Sequence, residues 1–399
     1  MATTEVTSQG WLSRLGGAFK GILFGLVLIA IAFFLLFWNE GRAVERHKTL
    51  KEGAGAVVSV PADRVDPAHE GDLVHLTGRA ETDEVLSDET FGVEARALRL
   101  EREVEMYQWK EDRSSETKKK VGGGTETTTT YTYEKTWSER PIDSSGFKET
   151  AGHQNPGSMP WQSAEQTAGR VTLGEYRLPT SLVRRIDRWE ELPIGSASAL
   201  PWEIQRRAEL HGSGLYFSES GDGSPSSPEI GDVRVSFRVV KPTEISVVAQ
   251  QTGQTLQPFQ AEAGGTIELL QVGTVAAAQM FEAAERQNTM LTWALRLGGL
   301  LMMAFGFGMV LRPLSVLADV LPPVGSLVGV GIGLVSFLLA AFFSLVTIAV
   351  AWVFYRPLLG VTLLVVAVAV VVYLVVKARK AEPVTPETAT PPPPPPPPA

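Results

Sequence analysis

The chain has 399 residues, a formal net charge of −8, an isoelectric point near 5.4 and no cysteine. The missing thiol excludes a disulfide framework, a thiolate nucleophile and cysteine-ligated zinc. The acidity argues against a phosphate-neutralising surface and hence against nucleic-acid binding.

In chain order, the first strong signal is the uncharged stretch Gly21 to Trp38, roughly 27 Å as a helix and therefore close to a hydrocarbon thickness. Arg14 and Lys20 flank it, and no small-x-small cleavage site follows. This predicts a cytoplasmic segment over 1–16 and an uncleaved transmembrane helix over 17–38. Residues 39–292 then read as an exoplasmic α+β domain rich in strands: Leu73 to Gly78, Ala97 to Trp109, Thr127 to Trp137, Asp232 to Val240, Ile245 to Gln251 and Thr266 to Gln271. Val44 to Lys51, Ser181 to Glu191 and Val275 to Arg296 read as helices, and the polar run Lys110 to Thr130 as an exposed hairpin loop. GDLVHLT at Gly71 and GDVRVSF at Gly231 share an outline, so two tandem subdomains split near residue 165 are one expectation.

Towards the C-terminus a short apolar stretch predicts a second span over 293–312, with Trp293 to Arg296 reaching the headgroups. Val320 to Tyr355 is uncharged and Pro322-Pro323 marks its start, giving a third span over 324–355. Pro357 to Val376 gives a fourth over 357–376, and 377–399 a disordered Pro-rich cytoplasmic tail of polyproline II character. The expected fold is thus a four-span α-helical membrane protein with a large α+β, β-rich exoplasmic domain inserted between the first and second spans. With both ends cytoplasmic, Arg14, Lys20, Arg312, Lys377, Arg379 and Lys380 obey the positive-inside rule, and Trp38, Trp293, Trp352 and Tyr355 gather at the opposite interface.

Between Tyr355 and Pro357 stands Arg356, the one charge in the C-terminal apolar run. Proline lacks an N–H and biases the preceding residue away from helix, so the run is two elements joined by a hairpin, with Tyr355 and Arg356 anchored among headgroups. A second reading pairs Arg356 with an acidic group under the domain. Gly17, Gly21 and Gly25, and again Gly325, Gly329 and Gly333, fall four apart and form strips for close helix packing, within the chain or between copies.

Signals for chemistry are few. His47, His69, His75, His153 and His211 show no metalloprotease spacing, and there is no nucleophile elbow or phosphate-binding loop. The sequence calls for no cofactor, no metal and no catalytic set. Gly329 to Gly333 lies inside an apolar span and cannot cradle a phosphate there.

Seven strings, taken in order, carry a resemblance: NEGRA at Asn39 (Asn39, Glu40, Gly41, Arg42), EGDLVH at Glu70, LSD at Leu86, VEMYQW at Val104 (with Glu105, Tyr107, Trp109), GHQNP at Gly152 (with His153, Asn155, Pro156), GDVRVSF at Gly231 (with Asp232) and FYRPL at Phe354. Together they resemble the transmembrane protein 43 (LUMA) family over roughly residues 10 to 380. The resemblance implies one N-terminal span, a large lumenal domain and three C-terminal spans. It implies a protein of the endoplasmic reticulum and inner nuclear membrane in animals, self-associating and organising complexes with lamins and emerin, and not known as an enzyme. The cysteine-free composition, Pro-rich tail and Ala/Val/Gly-rich spans point to a bacterial member with a periplasmic domain, for which the named partners fall away and the scaffold role remains.

Three functions therefore compete. The first is a non-enzymatic, homo-oligomeric membrane scaffold that binds the bilayer and other membrane proteins. The second is a membrane enzyme or lipid-handling protein using His153 and carboxylates of the domain. The third is a channel built by oligomerised spans.

Overall fold

The computed structural model describes residues 2–196, 200–320 and 322–358, together with 360–362, 365, 369, 372, 373 and 376. Three helices dominate it: α1 (Trp11–Ala56), α2 (Ala277–Ala318) and α3 (Pro322–Tyr355). All three are long and apolar enough to cross a membrane. α1 has 46 residues, roughly 69 Å at 1.5 Å per residue, about twice a hydrocarbon thickness. It starts after Gly10, whose extended backbone admits no earlier turn, and runs past the apolar stretch into the soluble domain without a break.

α2 packs antiparallel on α1 along its whole length, from Trp11 beside Val316 to Leu50 beside Phe281. Small residues permit the approach. A Cβ at Gly25 would fall 2.7 Å from the Gly306 carbonyl oxygen, and one at Gly299 2.6 Å from Leu36. α3 completes the bundle through Ala340, which is buried with Ala32, Leu36 and Met303. The chain bends at Arg356 and is helical again at Pro357, with Gly360 set against the backbone of Val353. The expected fourth span over 357–376 lies for the most part outside the described residues, as does the tail over 377–399.

Apart from two further strand pairs beside them, the domain is built from two sheets. One has eight strands and contains β1 (Ala2–Gln9), β3 (Arg99–Lys119), β4 (Thr125–Ser138) and β5 (Val233–Val240), with β2 (Leu73–Glu81) and β6 (Thr243–Thr252) belonging to the other. In the first sheet the order β1-β4-β3-β5 continues to Gly214–Phe217 and Ala208–His211. In the second, β2 and β6 pair directly and are also joined through Thr255–Gln257, Tyr176–Leu178 and Val171–Leu173, so five strands close on themselves as a small barrel. Closure removes edges that would otherwise stay unpaired.

Alternating apolar residues of both sheets, including Leu100, Val104, Leu173, Tyr176 and Phe237, form one core, and Phe91 joins it from a turn. A second cluster joins Leu50 of α1 and Phe281 of α2 to Leu73 and Val248 of the barrel and to Ile267 of a small two-stranded sheet. The helices therefore share a core with the domain. Strands from before and after residue 165 interleave in both sheets, β3 with β5 and β2 with β6. No cut near 165 separates two cores.

Two expectations about local structure need correction. Ser181 to Glu191 is not a helix: Thr180–Val183 makes one turn, and Trp189–Glu191 is a strand on β5. Leu182, Val183 and Ile186 are buried at a helical spacing, which explains the misreading, but Trp189 is held opposite Val240. Lys110 to Thr130 is not a loop. β3 and β4 pair without interruption from Met106 opposite Ser138 to Lys119 opposite Thr125, and β1 adds to β4 from Thr132 down to Thr125. Threonine favours strands, and apart from the buried Thr125 and Thr129 the charged and threonine side chains of this run stay at least partly exposed.

Candidate functional site

At the level where the apolar stretch of α1 ends, polar residues of all three helices converge. Glu40 is 1% exposed, and its two carboxylate oxygens accept from Arg296 Nε at 2.7 Å and Nη2 at 2.8 Å. The indole N–H of Trp352 on α3 donates to the same carboxylate at 2.8 Å. One turn on, Arg42 donates to Asn288 Oδ1, Asn39 Oδ1 and Thr292 Oγ1, while the Asn39 amide donates to the Thr292 carbonyl. Asn288 returns a bond to the Ala43 carbonyl.

The spacing makes this possible. Asn288, Thr292 and Arg296 are four apart and lie on one face of α2, opposite Asn39, Glu40 and Ala43 on α1. A buried carboxylate is tolerated when it is paired and hydrogen-bonded on both oxygens. Tyr355 closes the same site from α3, its ring so near Gly41 that a Cβ there would meet it at 2.6 Å. Two strings singled out in the sequence, NEGRA and FYRPL, thus meet in space.

Arg356 does not join this network. Its half-buried side chain lines an open pocket of about 330 Å³ with Glu40, His47, Glu285, Trp293 and Arg296, and it forms no ion pair among the described residues. The Glu40 carboxylate that would suit it is taken by Arg296. Arg296 itself was expected at the headgroups, yet it turns inward to Glu40 with its guanidinium 4.7 Å from the Trp293 ring centroid.

A second convergence sits where β3 and β4 leave the domain. Gly231 N–H donates to the Tyr107 carbonyl and Tyr107 N–H to the Asp232 carbonyl, which ends the pairing of β3 with β5. Two residues on, the Asn155 side chain takes the place of a strand: its Oδ1 accepts from Trp109 N–H at 2.7 Å and its Nδ2 donates to the Trp109 carbonyl at 2.8 Å. Pro156 packs beside Gly231. The Asp232 carboxylate is fully buried and accepts from the Tyr216 hydroxyl and from the N–H groups of Glu219 and Glu229, so it organises the loop before β5. Burial, and then the Asp232 carboxylate, push the Tyr216 hydroxyl well above its ordinary pKa. Glu105 pairs with Arg234, whose guanidinium covers Trp137.

His153 lies in the same cluster. Its ring stacks on Tyr133 with centroids 4.0 Å apart and meets Trp109 edge-on at 4.7 Å, while Nδ1 bonds the Glu149 carbonyl at 3.1 Å. No carboxylate side chain bonds it, and no group of three or more metal-ligating side chains occurs among the described residues. VEMYQW, GHQNP and GDVRVSF are therefore one structural unit, which holds the root of the β3–β4 hairpin.

The sequence profile of the family described as Transmembrane protein 43 matches residues 106–357. Transmembrane protein 43 of Homo sapiens is 35% identical over 387 residues, covering 94% of this chain and 94% of its own length. The chain belongs to the transmembrane protein 43 family. The Mus musculus protein is 35% identical over 89% of this chain and 90% of its own, and the Drosophila melanogaster homolog 30% over 86% and 90%. No solved structure matches the chain.

In this transmembrane protein 43 family member the glycine strips have unequal surroundings. Gly25 packs on Gly306, Gly325 abuts Asp319 and Gly329 lies near Ser315, whereas Gly17, Gly21 and Gly333 face open space. Trp38 and Trp293 are exposed at 48% and 63%, fit for an interface, while Trp352 and Tyr355 are engaged within the bundle. Sequence reasoning missed a third cluster at the other end of the bundle. There Asp319, 1% exposed, accepts from Arg14 at 2.5 Å and Lys119 at 2.6 Å, Gly122 N–H bonds the Val320 carbonyl, and Trp11 donates to the Val316 carbonyl. The hairpin tip is thus fastened to the end of the bundle remote from the domain.

Proposed function

We propose that this integral membrane protein is a non-enzymatic scaffold that self-associates and holds its soluble domain in a fixed pose for other membrane proteins. The observation that carries this is the continuity of α1 and α2. Both run from the apolar zone into a core shared with the domain, and the Glu40–Arg296 bridge clamps them where they leave it. A domain held by two continuous helices cannot swivel, which suits a platform better than a tethered catalyst. Gly17, Gly21 and Gly333, with no atom of the described residues within 4 Å of an added Cβ, leave small-residue surface for a neighbouring copy.

The proposed setting is a bacterial inner membrane with the domain in the periplasm, where partners would be other membrane proteins rather than lamins or emerin. Affinity purification from native membranes, with intact-particle mass and crosslinking, tests the reading. Particles larger than one chain or defined co-purifying proteins support it; monomers alone would overturn it.

A second reading is supported by the Arg356 pocket, where a half-buried guanidinium with no ion pair among the described residues lies beside Trp293 and Trp352 at the edge of the apolar zone. An anionic lipid headgroup matches that chemistry. Loss of co-purifying anionic lipid in Arg356→Gln would support lipid handling, and unchanged lipid content would dismiss it.

A further inference from the structure

The ribbon formed by β1, β4 and β3 has a solvation problem that one chain cannot solve. It leaves the domain at Tyr107 and ends beside Arg14 and Asp319, at the far end of the bundle. From Trp109 to Lys119 it covers roughly 34 Å at about 3.4 Å per residue, and α1 between Arg14 and Glu40 covers roughly 39 Å. The ribbon therefore runs past the whole apolar zone of the helices, which a bilayer makes about 30 Å thick.

Its side chains are those that hydrocarbon rejects. The register puts Lys110, Asp112, Glu116, Lys118, Glu126 and Glu134 on one face, with Ser114, Thr128 and Thr130 among them. The other face carries Glu111, Arg113, Ser115, Thr117, Thr127 and Thr129, with aromatic residues only towards its root, at Trp109, Tyr131 and Tyr133. A lipid-facing strand presents apolar side chains at every second position. Neither face here does, so neither can lie against acyl chains.

The edges raise the same difficulty. Asn155 seals β3 at Trp109, but the N–H and C=O groups of Glu111, Arg113, Ser115 and Thr117 point away from β4 and meet no strand among the described residues. Among the described residues β1 pairs with β4 alone, which leaves its outer edge open as well. The bundle has the opposite character: Leu23, Phe24, Val27, Ile31 and Phe34 are exposed on α1. One chain thus combines a lipid-compatible surface with a water-requiring ribbon of the same height.

We propose that copies of this chain form a ring with bundles outward and ribbons inward, the β1 edge of one copy beside the β3 edge of the next, enclosing a water-filled passage for small hydrated cations. The proposal rests on the self-association in the scaffold reading and adds where the copies meet and what they enclose. β1 and β3 both run antiparallel to β4, so neighbouring copies join in parallel through a head-to-tail contact, the kind that closes into rings. Closure satisfies both edges at once. The face with four carboxylates against two lysines favours cations over anions.

Because the chain has no cysteine, single thiols can report on each face. Ser114→Cys and Thr128→Cys lie on the acidic face and Ser115→Cys on the other. In sealed proteoliposomes we expect particles at multiples of 43.2 kDa and a cation flux exceeding that of chloride. A charged, membrane-impermeant thiol reagent should abolish most of that flux at Ser114→Cys and leave the unsubstituted protein unaffected.

Oligomers without flux, whose Ser114→Cys reacts only after detergent is added, would overturn the passage and leave self-association standing. Flux absent with Lys118→Cys reactive from the domain's side alone would overturn it too, since the ribbon would then stay outside the bilayer. Monomeric particles would remove both readings.

Discussion

Glu40 and Arg296 form a two-pronged ion pair across the two helices that join membrane and domain, at 2.7 and 2.8 Å, with the carboxylate removed from solvent. Such a pair resists the loss of one partner more than the loss of both, because a lone buried carboxylate keeps its desolvation cost without compensation. We expect Arg296→Ala to destabilise the protein by about 3–5 kcal/mol, and Glu40→Met with Arg296→Met to recover much of that loss. Thermal unfolding of the purified protein in lipid nanodiscs measures both; a double variant as unstable as Arg296→Ala would refute the burial argument.

Asn155 substitutes for a strand at Trp109, because its carboxamide carries an acceptor and a donor on separate atoms, as a peptide group does, and so serves the N–H and the C=O at once. Asn155→Leu leaves both groups of Trp109 unpaired. A cost of about 1–3 kcal/mol follows for a buried unsatisfied group. Hydrogen exchange at the amide of Trp109 should accelerate while that of Val104, which donates to Ser163 Oγ, stays slow.

The sequence revealed different parts of this protein to different degrees, for physical reasons. The three long helices were legible because lipid selects uncharged runs of a set length, and β5 and β6 because apolar residues alternate along them. The ribbon was not legible. Lys110 to Thr130 has no apolar period, so hydropathy cannot tell a strand that stays polar on both faces from a loop. At the junction, Asn39, Glu40 and Arg42 stand out in the sequence only through the NEGRA string that carries the resemblance. Their partners Asn288, Thr292 and Arg296 lay in view as polar residues four apart on a helix about to turn apolar, a signal that asks for a facing helix. Asp319 gave no such hint, since Arg14 and Lys119 reach it from unrelated parts of the chain.

The glycines should separate by position. A leucine at Gly25 would meet the Gly306 carbonyl and force α1 from α2, so Gly25→Leu should lower stability by about 1–3 kcal/mol or more, as overpacking does. Gly17→Leu and Gly21→Leu meet open space within the chain and should leave monomer stability unchanged. If these faces contact another copy, the same two variants will shift intact-particle mass in native membranes; an unchanged mass removes them from the interface.

Tyr216 supplies a test at alkaline pH. Its hydroxyl donates to the buried Asp232 carboxylate, and burial followed by that carboxylate raise its pKa above the ordinary 10.0. The unfolded chain loses the phenolic proton near 10 while the fold retains it, so the folded state binds more protons there and stability must fall as pH rises through that range. Below the unfolded value the contribution is fully present. A urea titration series from pH 8 to about 11 should therefore steepen above about 10, and Tyr216→Phe should flatten that limb. Tyr216→Phe also leaves Asp232 with only the N–H groups of Glu219 and Glu229, so it should be less stable than the parent at pH 8. A Tyr216→Phe curve parallel to the parent above pH 10 would mean that another group controls the alkaline transition.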